Sequence, residues 1–520
     1  MDTLKQPLYA LRWWALGVLC FSLLVIGLDN TILNVALPTL AEDLSATGSQ
    51  LQWIVDSYVL VFAGLLLSAG ALGDRFGRKR ALNVGMGIFG IGSTMSAFAG
   101  SADALILSRA LMGIGGAFIM PSTLSIITNI FPAKERGRAI GVWAGVAGLG
   151  IVVGPSLGGF LLERFWWGSV FLINIPVVIL AMVLGLRLIP ESRDPAATPL
   201  DPVGALLSIG LLFSLVYGII EAPSMGWTDG TILGAFAIAA VLLVVFLVWE
   251  RRNDHPMLNM NFFRNPRFSA ASVSITLVFF ALFGTIFLLT QYLQFVLGYS
   301  PLQAGVRIMP IATLVIAAPL SARLVERIGS KFTVALGLVT VATSLGVLST
   351  VSDTSGYGLV ATTLVLLGLG MGTTMAPATD SIMGSLPLAK AGVGSAVNDT
   401  TRMVGGALGV AVLGSVLASR FGSLMDGLAA ALPGSAGATA TDSIGGALAV
   451  GSRLGPDQAG ALISAAKSAY IDGMGGAVLV ATAVTLGGAL VALLFLPARA
   501  RGEETVHATV PEIEVQPSEA

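Results

Sequence analysis

The chain has 520 residues, of which 55% are hydrophobic and only 11% charged, with a formal net charge of −1. About a quarter of an ordinary soluble domain is charged, so water is excluded as the solvent for most of this surface and a bilayer is the natural alternative. The charge balance leaves no basic excess for nucleic acid, and the single cysteine, Cys20, sits in an apolar run where it serves packing and can form no internal disulfide.

A short polar start leads at Trp13 into a long apolar segment with no small-residue cleavage site, which reads as a first spanning helix and not as a removed leader. About twenty apolar residues are needed to cross a hydrocarbon core of ~30 Å. The sequence predicts fourteen such segments: 13–40, 51–72, 81–100, 103–131, 139–162, 168–189, 203–221, 230–249, 268–291, 303–323, 332–351, 357–385, 390–418 and 473–496. The Gly-, Ala- and Ser-rich stretch 419–472 reads as an outer loop, and residues 1–12 and 497–520 as polar extensions, the latter disordered.

An even number of spans puts both termini on one side, and the positive-inside rule chooses the cytoplasm. With that choice 21 of the 28 basic residues fall in inner segments, and only Arg164, Arg420, Arg453 and Lys467 in outer ones. Arg109, Arg307 and Arg402 fall within helices, with Arg307 near an interface.

After the second span the chain reads Gly73-Asp74-Arg75-Phe76-Gly77-Arg78-Lys79-Arg80, and after the tenth Val325-Glu326-Arg327-Ile328-Gly329-Ser330-Lys331-Phe332. Acid, arginine, glycine and lysine fall in register. Such an echo predicts two six-helix bundles, 13–189 and 268–496, separated by an inserted helix pair, 203–249. Glycines at 70, 73 and 77 suit a tight turn and close helix approach, and Asp74, Arg75 and Arg78 can bridge neighbouring helix ends, which is the chemistry of a gate.

These residues carry a resemblance. The first copy, with Gly70 and Leu72 before it, resembles motif A of the major facilitator superfamily; Leu105 through Ala117, with Arg109 and Gly113, resembles motif B. Gly150 followed by Gly154-Pro155-Ser156-Leu157-Gly158-Gly159 resembles motif C, the marker of antiporters. With fourteen spans, Leu28-Asp29-Asn30-Thr31-Ile32 and Trp53-Ile54-Val55-Asp56, the chain is similar to the drug:proton antiporters of that superfamily. The resemblance implies an all-α major facilitator fold working as a monomer in the bacterial inner membrane, without metal or cofactor. Its implied partners are protons and a lipophilic, cationic drug, exported from the cytoplasm.

Embedded charges are the sharpest signal, because each costs roughly 2.5–3.5 kcal/mol on insertion scales. Asp29 reads as a proton or cation site, or else as a buried acid held by Asn30, Asn34 or an arginine. Asp56, one turn from Trp53, can hold a lipophilic cation through charge and ring face. Arg109 is either the permanent counter-charge that tunes a nearby acid or a structural partner. Asp399 and Arg402, spaced i, i+3, read first as an intrahelical pair and second as substrate contacts, and Asp380 lies near the inner end of the twelfth span. The glycines of the fifth span serve packing, a hinge near Pro155, or both.

Two departures from the subfamily pattern argue against dicationic substrates. Met309-Pro310-Ile311-Ala312-Thr313 stands where the tenth span would carry an acid, and Asn398-Asp399 replaces a pair of glutamates. No Gly-x4-Gly-Lys-Ser/Thr loop occurs, and His255 and His507 have no metal-spaced or nucleophile partners, so an enzyme is not expected. The remaining readings are an exporter of one metabolite, lipid or self-made antibiotic, and a non-transporting receptor or scaffold.

Overall fold

The computed structural model describes residues 11–193, 200–352, 355–386, 391–430, 432 and 434–497, so the expected extensions 1–10 and 498–520 lie outside it. Its helices are α1 Arg12–Asp43, α2 Gly48–Phe76, α3 Arg78–Ala97, α4 Ala102–Ile130, α5 Ala133–Arg164 and α6 Ser169–Leu188. There follow α7 Pro202–Met225, α8 Gly230–Arg252, α9 Pro266–Val296, α10 Pro301–Leu348 and α11 Tyr357–Met383. The last are α12 Ala391–Ala429, α13 Ala436–Asp442, α14 Ile444–Gly451 and α15 Pro456–Phe495.

Among the described residues eleven helices are long and apolar enough to cross a membrane. One of them, α10, is interrupted at Gly329, whose φ of 84° and ψ of 163° separate two helical stretches. The outer faces carry unpartnered apolar side chains, Leu107 at 72% and Leu206 at 71% exposure, as a lipid-facing surface requires. This is an all-helical, multi-pass membrane protein.

Capping residues start several helices where the chain turns. Thr47 and Gln50 form a reciprocal capping box on α2, Ser300 and Gln303 another on α10, and Asp201 and Asp229 cap α7 and α8. The ends are tight: Gly77, at φ 121°, closes α2 and opens α3 without a loop.

Two bundles result. In the first, α1 packs on α5, α4 on α2 and α3, and α6 on α1 and α3; in the second, α9 packs on α12, α10 on α11, and both α10 and α12 on α15. The bundles touch along two seams, α2 against α12 and α5 against the start of α10. The pair α7–α8 lies over the first seam, with α7 against both α2 and α12. α8 touches the rest of the protein mainly through α7, and 22% of its most apolar window is covered against 83% for α9.

The region expected as a loop, 419–472, is largely helical. α12 runs on to Ala429, α15 begins at Pro456, and between them α13 and α14 form a short hairpin across the end of the bundle. Small residues there keep helix-forming backbone, and composition alone does not separate an Ala-rich helix from a flexible Gly/Ala linker.

Candidate functional site

Asp29 on α1 and Arg109 on α4 are 3% and 1% exposed and meet directly, guanidinium Nη1 to carboxylate Oδ2, at 2.5 Å. Arg109 Nε also donates to the carbonyl of Ile54 on α2 at 3.1 Å, and the guanidinium lies 4.4 Å from the centre of the buried Tyr58 ring. One cation thus ties three helices. The arginine is placed both to offset the charge of Asp29 and to hold α1, α2 and α4 together.

Asp56 differs. It lies on α2 two residues beyond Ile54, is fully buried, and neither carboxylate oxygen has a hydrogen-bond partner among the described residues. Arg109 does not reach it. An unpaired buried carboxylate costs several kcal/mol, so this group is the least satisfied charge of the bundle centre. Asn34, also buried, spends its amide on the carbonyl of Asn30 at 3.1 Å and so does not hold Asp29; its own carbonyl oxygen has no partner among the described residues.

Trp53, one turn before Asp56, donates its indole N–H to Glu221 on α7 at 2.8 Å. Its ring packs on Phe213 and Tyr217 of the same helix, with centroids 5.4 and 6.3 Å away. Glu221 was not among the expected site residues. The signal existed, an acid in Gly218-Ile219-Ile220-Glu221-Ala222, but the predicted span ended on it, whereas α7 continues to Met225.

In the second bundle Asp399 and Arg402 pair within α12 at 3.7 Å, and the guanidinium lies 5.5 Å from the Phe279 ring centre. The structure brings Asp399 together with neither Asp29 nor Asp56. Asp380 is largely exposed and 3.9 Å from Arg267. Arg307 lies 4.0 Å from the ring centre of Tyr299.

The turn between α2 and α3 is built as a ring of contacts. Arg78 Nε meets Asp74 at 2.7 Å, its backbone N–H donates to Ser192 at 2.8 Å, and Lys79 N–H donates to Glu191 at 3.2 Å. Gly73 abuts Ala81 and Ser122, and Gly70 abuts Pro121. Arg75 is exposed beside Phe76. Bridging therefore runs through Arg78 and Glu191, the second of which lies after α6.

The glycines of α5 face two neighbours. A Cβ on Gly150 would stand 2.9 Å from the backbone of Gly27, and Gly154 and Gly158 crowd Thr31 and Ile32 of α1. Thr31 Oγ1 donates to the Gly150 carbonyl at 3.1 Å. Gly159 instead faces α10, where a Cβ would lie 2.5 Å from Leu302 Cα, and Pro155 fills the space over Gly305. Packing is the role these positions show.

The hydrogen bonds joining the two bundles gather at the end opposite the α2–α3 turn. There Gln294 donates to Val35 at 2.9 Å, Gly48 N–H to Asp442 at 2.8 Å, Ser156 to Gly305 at 3.4 Å, and Ser300 to Glu163.

Residues 19–410 match the family model of the Major Facilitator Superfamily. The chain is 39% identical to the multidrug efflux pump LfrA of Mycolicibacterium smegmatis over 76% of this chain and 78% of LfrA. It is 36% identical to the tetracenomycin C resistance and export protein of Streptomyces glaucescens, over 79% and 77%, and 36% identical to the methyl viologen resistance protein SmvA of Salmonella typhimurium, over 74% and 78%. Among solved structures, a bacterial homologue of the lysosomal transporter Spinster, inward-facing and occupied, superposes with a TM-score of 0.65 at 17% identity, covering 93% of this chain and 96% of that one. The xylose transporter XylE of E. coli, inward open, gives 0.56 at 14% identity over 95% and 98%; both likenesses speak to the fold. Two helical bundles, the turn motif and the family match agree: this chain is a membrane transporter, not an enzyme, and belongs to the Major Facilitator Superfamily.

Proposed function

We propose that this protein exports lipophilic, cationic drugs from the cytoplasm in exchange for protons, by alternating access between its two bundles. The observation that carries the reading is Asp56, a fully buried carboxylate with no partner among the described residues, while the acid–arginine pair near it is complete. Such a group is stable with a proton or with an organic cation, and the two compete for it. Relatives named for multidrug efflux and for methyl viologen resistance support drugs as the cargo.

In this reading the chain crosses the bacterial inner membrane fourteen times, with α10 supplying two spans either side of Gly329 and α3 and α5 counted among the rest. Both termini are cytoplasmic, the α2–α3 turn is the inner gate, and the protein works as a monomer. The cross-bundle bonds then close the outer face, so substrate enters Asp56 from inside. Protonation of Asp56 from outside releases the cation, and Asp29 with Arg109 sets the local field.

Efflux from inside-out vesicles under a pH gradient tests this. Asp56→Asn is expected to insert normally and Asp29→Asn, which strands Arg109, to insert with reduced stability; both are expected to lose pH-driven transport, and adding a lipophilic cation to the purified protein is expected to release protons in the wild type but not in Asp56→Asn. Retained pH-driven transport by both variants sinks the assignment.

A second reading is export of a single self-made antibiotic, favoured by relatives named for tetracenomycin C and puromycin resistance. A substrate panel in the same vesicles separates them, one accepted compound against many.

A further inference from the structure

The indole N–H of Trp53 needs only an acceptor, which a glutamine, a hydroxyl or a free carbonyl would supply without charge. It receives a carboxylate instead. Glu221 Oε1 takes the bond at 2.8 Å, Oε2 has only the Ser224 hydroxyl at 3.4 Å, and no Lys, Arg or His pairs with either oxygen among the described residues. Glu221 sits in an apolar helix, half-buried, four residues from the end of α7. A glutamine there would accept the same bond, so the charge itself is what this residue adds.

What a carboxylate adds is polarisation. An anion accepting the indole N–H pushes electron density into the ring, and a richer ring face binds a cation more strongly. Trp53 and Asp56 are three positions apart on α2 and so share a face of that helix. Phe213 and Tyr217 back the ring and fix its plane, with their own centroids 6.2 Å apart.

We propose that Glu221 is a positioning and specificity residue for the cation site: from the inserted helix pair it holds and polarises Trp53, and thereby tunes the affinity of Asp56's neighbourhood for lipophilic monocations. The inserted pair then contributes to recognition as well as to bulk. The proposal rests on Trp53 and Asp56 belonging to the cation site.

The test is calorimetric binding of tetraphenylphosphonium to the purified full-length protein. Glu221→Gln, which keeps an acceptor and the shape, is expected to weaken binding about threefold to tenfold while leaving the melting temperature in place. Trp53→Phe is expected to weaken it similarly, and the double variant Trp53→Phe/Glu221→Gln no further than Trp53→Phe alone, since the carboxylate acts through the indole. Unchanged binding in Glu221→Gln overturns the proposal, as does an equal loss from Glu221→Gln in the Trp53→Phe background. Asp56→Asn separates the premises. Undiminished binding there removes Asp56 from the site, while normal loss there with no effect of Glu221→Gln removes only Glu221.

Discussion

At the scale of single residues, Asp29 and Asp56 are both buried but sit in different environments, and their substitution should read differently. Asp29 is fully paired, so losing either partner strands a buried charge. Arg109→Ala is expected to destabilise the protein by about 3–5 kcal/mol, seen as a lower melting temperature in detergent. Asp56→Asn removes a charge that nothing satisfies, and its melting temperature should hold or rise even as transport fails. A fall in Asp56→Asn comparable to that of Arg109→Ala would show that Asp56 is a structural acid. The embedded positions of Asp29, Asp56 and Arg109 were legible in the sequence, because hydrocarbon makes every charge conspicuous. Which acid takes the arginine was not legible. Asp29 and Arg109 are 80 residues apart, and only the packing of α1 on α4 decides the pairing.

At the scale of elements, the sequence echo around Gly77 and Gly329 has a backbone counterpart. Both glycines adopt positive φ with extended ψ, φ 121° and 84°, each between two helical stretches, and a side chain there costs ~1–3 kcal/mol. The in-register repeat therefore marks a repeated turn, and Gly77→Ala should lower stability by about that amount in thermal melts. Helix ends were less legible. The α13–α14 hairpin lay hidden in a Gly/Ala-rich stretch, as did its Asp442, whose carboxylate accepts the first N–H of α2. Burial holds that carboxyl above its ordinary range despite the bond. Its folded-state value thus exceeds the unfolded one, so its contribution to hairpin docking is fully present below pH ~4 and is lost as pH rises through the raised value. Hydrogen exchange of the hairpin should quicken with rising pH over that window, and Asp442→Asn should flatten the dependence.

For the whole molecule, apolar periodicity and loop charge suffice to give a polytopic helical protein, and the turn motif and its echo give two bundles. The arrangement of the seams had no local signal. That α7 lies against both α2 and α12, bringing Glu221 to Trp53, follows from the surfaces those helices leave free and not from any motif in α7 itself. The spacing of the glycines in α5 announced close approach. It did not say that Gly159 turns away from α1 to meet the other bundle.

That last contact behaves as a go/no-go gauge. Pro155 and Leu302 leave Gly305 and Gly159 no clearance, with a Cβ on Gly305 falling 2.1 Å from the Pro155 carbonyl oxygen. Backbone on backbone has nowhere to yield, so a single methyl there acts as a wedge between the bundles. Gly305→Ala should shift the resting population toward the conformer parted at this end, which labelled cysteines placed across the seam would report as a longer mean distance without ligand. In the proposed orientation this end is the mouth that releases cargo, so it would then stand ajar at rest, and a pump with that fault would bind from the wrong side.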